Sequence, residues 1–239
     1  MSALGASLLA SAIPVTATIT GGAIAIARPP GASLRGLVQH VAAGAVFAAV
    51  ASELVFDLIQ QRRLWPIIIG FSLGTCLMLT IRQLAARLEA RPGSGGDSAG
   101  LLAAIGVDVL IDGFVLGIGF AAGSRGGLLL TAALTLELVF LGLTVAAALG
   151  GEGASPRRVI TSTTTIALLL PIGSALGALL GRLGDALVDG TIAFAAAALL
   201  YLVTEELLVE AHEHEEGPLA TSSFFAAFLA ILVLDVATR

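Results

Sequence analysis

Lysine is absent from this chain, and all 12 basic residues are arginine. Charged residues of either sign occupy only 12% of the 239 positions, and the formal net charge is −5. A chain so poor in cations lacks the basic footprint of a nucleic-acid binder, so nucleic acid is not an expected partner. A single cysteine, Cys76, excludes an intramolecular disulfide. It sits in an apolar run and reads as a packing residue. Residues 1–12 contain no basic residue, so they lack the n-region of a cleavable signal peptide and read as the start of a retained helix. No HExxH zinc-protease motif is present either.

What fills the chain instead is apolar. Hydrophobic residues make up 57% of it, mean hydropathy is +1.00, and glycine occurs 29 times. No soluble domain of ordinary composition looks like this. About 20 apolar residues are needed for one membrane span. Breaks rich in Arg, Pro, Gly and acidic residues divide the chain into about eight segments of that length. They fall near 3–27, 34–59, 64–88, 99–123, 127–149, 158–181, 186–212 and 219–237. These segments are too long and too evenly apolar for barrel strands, so the expected fold is an all-α polytopic membrane protein, one transmembrane domain. Abundant small residues let such helices approach closely. Pro14 and Pro171 fall inside the first and sixth segments, where each frees a backbone carbonyl and can kink its helix.

Arginine counting sets an expected orientation. With the N-terminus outside, Arg28, Arg35, Arg82, Arg87, Arg91, Arg157 and Arg158 lie at the inner end, and Arg62, Arg63, Arg125, Arg182 and Arg239 at the outer. Both termini are then outside, and the cell (inner or plasma) membrane is the expected location.

Several carboxylates interrupt the apolar segments. Asp108 and Asp112 lie in AAIGVDVLIDGFVLGIGFAAG, and Glu137 in LLLTAALTLELVFLGLTVAAAL. An acid at bilayer depth is costly unless it faces a partner, a cation or water. Asp108 and Asp112 are four residues apart and project from one helix face, where like charges repel unless something positive lies between them. A short connection makes the fourth and fifth helices antiparallel neighbours, which puts Asp112 and Glu137 at similar depth. A bound cation is one solution; pairing with arginine, or protonation, is the other. Arg82 is the arginine most plainly within a span and cannot serve all three. A transporter or channel for metal ions is therefore the leading reading.

Glu53 and Asp57 repeat the i, i+4 arrangement near the end of the second helix. Glu205, Glu206 and Glu210 crowd the end of the seventh, one turn after Tyr201. These are candidates for a second ion position or a pathway, with a solvated helix end as the competing reading. His212 and His214, in HisGluHisGluGlu at 212–216, suit loose metal binding or a polar loop. His40, near the start of the second helix, is expected at the interface.

Taken together, these motifs resemble the ZIP (Zrt/Irt-like) family of divalent metal transporters. The fourth helix of that family typically reads HNxPEG or HSxxDG, and AspValLeuIleAspGly at 108–113 fits that frame with Asp108 at the histidine position. The family's fifth helix carries a histidine followed four residues later by an acid; Glu137 and Leu141 occupy those positions. AlaAlaGly at 42–44 with GluLeuValPheAspLeu at 53–58 fits its second helix. LeuTyrLeuValThrGluGluLeuLeuValGluAla at 200–211 fits its seventh. The intramembrane histidines are replaced, three times by an acid, and Pro92–Ser98 lacks the family's histidine-rich loop. The resemblance implies eight helices with both ends outside and a metal site between helices four and five, here Asp108, Asp112 and Glu137. It also implies a transported divalent cation, such as Zn²⁺, Mn²⁺ or Fe²⁺, in place of any resident cofactor, and a homodimer. Replacing imidazole by carboxylate favours harder ions such as Mn²⁺ or Fe²⁺ over zinc. The alternatives are a non-transporting ZIP-like scaffold and an intramembrane enzyme. An aspartyl protease would need its two aspartates on different helices, so an enzyme is not expected.

Overall fold

The computed structural model of the chain describes residues 2–28, 31–89, 97–151, 153–181, 185–212 and 218–238. Every regular element among them is helical, and none is a strand. A backbone in hydrocarbon has no water to bond, and a helix satisfies its own N–H and C=O groups. Helix α1 is Ala3–Ala27, and α2 runs over 32–61 as Ala32–Ala49, a π-helical turn Val50–Leu54, and Val55–Gln61. Helices α3, α4 and α5 are Leu64–Glu89, Asp97–Ala122 and Ser124–Gly151. Helix α6 is Pro156–Ala167 followed by Leu169–Leu180. Helix α7 joins Asp185–Leu202, a second π-helical turn Val203–Leu207, and Leu208–His212. Helix α8 is Pro218–Thr238. All eight are long and apolar enough to cross a membrane, and the protein is an all-α polytopic membrane protein.

The two prolines behave differently. Pro171 has no N–H for the carbonyl of Ala167, and α6 breaks one residue later, at Leu168. Pro14 leaves α1 continuous. There the Thr18 hydroxyl donates to the Pro14 carbonyl at 2.8 Å.

The most extensive interfaces pair α1 with α5, α4 with α6, α3 with α7, and α2 with α8. Exchanging α1 for α6, α2 for α7, α3 for α8 and α4 for α5 maps this set onto itself. Consecutive spanning helices alternate in direction, so each exchange swaps helices of opposite sense. The bundle is therefore an inverted repeat. The sequence carries the same repeat: VASEL at 50–54 and VTEEL at 203–207 form the two π turns, and DVLIDG at 108–113 faces ELVFLG at 137–142. Glycine contacts repeat as well. A Cβ on Gly173 would collide with the Leu110 carbonyl, and one on Gly21 with the Val139 carbonyl. Leu110 and Val139 stand two residues after Asp108 and Glu137 respectively.

Helices α4 and α5 form the middle of the bundle, and α3 and α8 lie at its margin, mostly exposed. Cys76, on α3, is exposed rather than packed inside, because α3 is a marginal helix. His40, near the start of α2, is buried within the bundle, and its Nδ1 bonds the Gly36 carbonyl at 2.8 Å.

Candidate metal site

Asp112 and Glu137 fall near the centres of the spans Gly100–Ala122 and Ser124–Gly151. Asp108 lies one turn from Asp112 on the same face of α4. These three residues each present a carboxylate oxygen, and the three oxygens lie within 4.8 Å of one another. The close approach of α4 to α6 holds this face in place: a Cβ on Gly113, next to Asp112, would collide with the Leu170 carbonyl. Asp112 and Glu137 are buried, at 0% and 2% exposure, while Asp108 is half-buried.

The electrostatics are severe. An aspartate at the centre of a spanning helix costs roughly 2.5–3.5 kcal/mol on insertion scales, and here three acids converge. Both Asp112 carboxylate oxygens and Glu137 Oε2 are buried with no hydrogen-bond partner among the described residues. No described ion pair engages any of the three acids. Ionised carboxylates are acceptors only. The Asp112 and Glu137 part of the cluster thus offers buried oxygen acceptors to which no described residue donates.

A cavity of about 310 Å³ leads to this cluster from the end of the bundle that holds the C-termini of α3, α5 and α7. Asp108, Glu137 and Leu141 line it, together with Glu205 and Glu206 from the α7 π turn. Asp112 sits behind them. Arg82 is the basic residue of the cavity wall; it donates to Glu205 Oε2 at 2.6 Å and to the Tyr201 hydroxyl at 3.5 Å. Glu205 is therefore held at the cavity wall by an exposed ion pair, and Glu206 lines the same cavity.

The opposite end is built differently. Glu53, in the α2 π turn, is the repeat counterpart of Glu206, yet it lies outside the three-carboxylate cluster. Its Oε1 is 3.8 Å from Arg125 Nε. Arg125, in the first turn of α5, also donates to the carboxylate and the backbone carbonyl of Asp235 on α8. Asp235 is almost fully buried. This network ties α2, α5 and α8 together. Asp57 is half-buried one turn beyond Glu53. The Glu210 and His212 side chains and all of His214 lie outside the described residues.

Sequence reasoning missed Arg125 and Asp235 as partners because each sits at a helix end and they are 110 positions apart. The VASEL and VTEEL repeat was the available signal that Glu53 and Glu206 occupy related turns. Asp189, another buried acid, pairs with Arg63 at 3.4 Å and plays no part in the cluster.

The bundle and its buried carboxylates define a polytopic membrane protein with an acidic core. Residues 88–234, more than half of the chain, match the family model described as ZIP Zinc transporter, and the chain belongs to the ZIP family. It is 33% identical over 89 residues to the "Zinc transporter GufA" of Myxococcus xanthus. It is 31% identical over 88 residues to the "Zinc transporter ZIP11" of Xenopus tropicalis. Each alignment covers 37% of this chain, and the chain spans 35% of the first relative's length and 26% of the second's.

Proposed function

We propose that this protein carries divalent metal cations across the membrane through the Asp108–Asp112–Glu137 centre. The observation that carries the reading is the convergence of three carboxylate oxygens within 4.8 Å at mid-span, several of them buried without a donor. A divalent cation satisfies such a set directly. Membership of the ZIP family supports it independently, and it points to a transporter rather than an enzyme. Both relatives are described as zinc transporters.

The ligand set is all oxygen, and Leu141 stands one turn after Glu137, where the repeat places Asp112 after Asp108. Oxygen ligands suit manganese and other hard ions, and imidazole suits zinc, iron and nickel. The selectivity we propose is therefore shifted toward Mn²⁺, with Fe²⁺ and with Zn²⁺, which accepts carboxylates, still carried.

The mechanism is alternating access. One end of the bundle holds a cavity reaching Asp108 and Glu137; at the other, Arg125 joins Glu53 and Asp235. An inverted repeat provides two arrangements of related packing, one open to each side. In the counterpart state Glu53 would face an open path and Glu206 would be enclosed. The arginine-rich end, where the cavity lies, is the inner end of the orientation we propose, in the cell membrane with both termini outside. A homodimer belongs to the same reading, and native mass spectrometry of the purified protein tests it.

Uptake into liposomes by the purified protein tests the function, comparing manganese, zinc, iron and cadmium for wild type and Asp112→Asn. Uptake that disappears in the variant supports the path through α4. A folded protein that carries no metal at all would make this chain a ZIP-like scaffold, and Leu141 at a ligand position would then be part of the reason.

A further inference from the structure

A second cavity, of about 510 Å³, lies apart from the acidic centre. It sits between the C-terminal ends of α1 and α5 and the N-terminal ends of α2 and α6. Its walls are largely apolar, with Ala25, Ile26, Ala146, Ala147 and Val159 contributing. Arg35 is the charged residue that lines it, and no acid among the described residues does. Arg35 Nε is buried and has no hydrogen-bond partner, and no described ion pair involves this residue. A guanidinium offers five donors and no acceptor, and a donor buried without a partner costs free energy. Among the described residues no anion faces Arg35 Nε, which leaves room for a complement from outside.

Three further observations narrow its chemistry. The first turn of α6 begins at Pro156, in the cavity wall, and helix N-termini favour anions. Arg28, Arg157 and Arg158, each within two residues of the cavity wall in sequence, are exposed, so the described residues flanking the cavity are basic and disfavour a headgroup carrying its own cation. The site also lies where four spanning helices end, at headgroup depth, with apolar walls beside the charge. Basic pockets between helix ends at that depth suit acidic lipid headgroups. We propose that this cavity binds the phosphate of an anionic phospholipid, with Arg35 as its principal donor. The site is independent of the metal centre.

The test uses the full-length purified protein in nanodiscs or detergent supplemented with phosphatidylglycerol, phosphatidylcholine or inorganic phosphate. Native mass spectrometry counts retained lipid, and thermal unfolding reads stabilisation. Wild type is expected to retain phosphatidylglycerol over phosphatidylcholine and to gain Tm with the former alone. Arg35→Gln is expected to bind it about tenfold more weakly or worse, the scale of losing a charge-assisted hydrogen bond. Arg62→Gln, at the opposite end of the bundle, should behave as wild type. Should Arg35→Gln fail to fold, Gly151→Phe serves in its place. Gly151 lines the cavity, a Cβ there meets nothing within 4 Å, and the substitution is chosen to crowd the cavity mouth while leaving Arg35 intact. Equal retention of both lipids, unchanged retention in Arg35→Gln or Gly151→Phe, or stabilisation by inorganic phosphate to the same degree would overturn the proposal.

Discussion

Asp112 on α4 and Glu137 on α5 bring carboxylate oxygens within 4.8 Å of each other at the buried centre of the bundle. Two carboxylates this close, with no donor to their buried oxygens among the described residues, favour whatever cation enters. Asp112→Asn and Glu137→Gln are expected to reduce metal uptake at least roughly tenfold while leaving thermal stability unchanged or raised, since a buried like-charge clash is relieved. Parallel uptake and thermal-unfolding measurements check this. A large fall in Tm in the absence of metal would instead make these acids structural.

Selectivity is expected to follow ligand type. Glu137→His restores an imidazole to the centre and should raise the uptake of zinc relative to manganese. Competition between the two ions in one liposome preparation reads the ratio directly. If zinc already displaces manganese from the wild-type protein as strongly as from the variant, the oxygen-ligand account fails.

Arg125 holds a nearly fully buried partner. Arg125→Gln removes this cation from the Asp235 carboxylate; because Arg125 is itself one-third exposed, the expected cost is that of a charge-assisted hydrogen bond, roughly 1.5–3 kcal/mol. A clear drop in Tm is expected. Asp235→Asn combined with Arg125→Gln should lose less than the sum of the single changes, because the pair acts as a unit. Additive losses would show that the two residues are not coupled.

Close helix contact predicts a contrast among glycines. Gly113→Ala places a methyl group against the Leu170 carbonyl, and Gly173→Ala one against the Leu110 carbonyl. Each should cost about 1–3 kcal/mol, the range for overpacking. Gly150→Ala, at the end of α5, meets nothing within 4 Å and is expected to be neutral or slightly stabilising. Folded yield and Tm of the three variants distinguish packing from a general intolerance of substitution.

Much of this protein was legible without coordinates. Long apolar stretches broken by Arg, Pro and Gly dictate helices that span, because hydrocarbon allows few other backbone solutions. The i, i+4 spacing of Asp108 and Asp112 fixes one helix face, and the short α4–α5 connection makes Glu137 their neighbour. Local rules of this kind act within a helix or between adjacent helices, so sequence alone determines them.

Other relationships needed the tertiary structure. Pairing α1 with α5 and α4 with α6 depends on which surfaces fit, and the glycines that permit it meet backbone carbonyls far away in the chain. The same is true of Glu53 and Glu206. Similar pentapeptides carry them, yet one lies beside Arg125 and the other faces a cavity, because the two halves of the bundle are packed differently at their two ends. Arg35 looked like one more interfacial arginine until the ends of four helices enclosed its Nε. Composition and periodicity decided that the chain enters the membrane and carries acids there. Only packing between distant helices decided which of those acids meet, which are tied to arginine, and that Arg35 Nε is enclosed with no hydrogen-bond partner among the described residues.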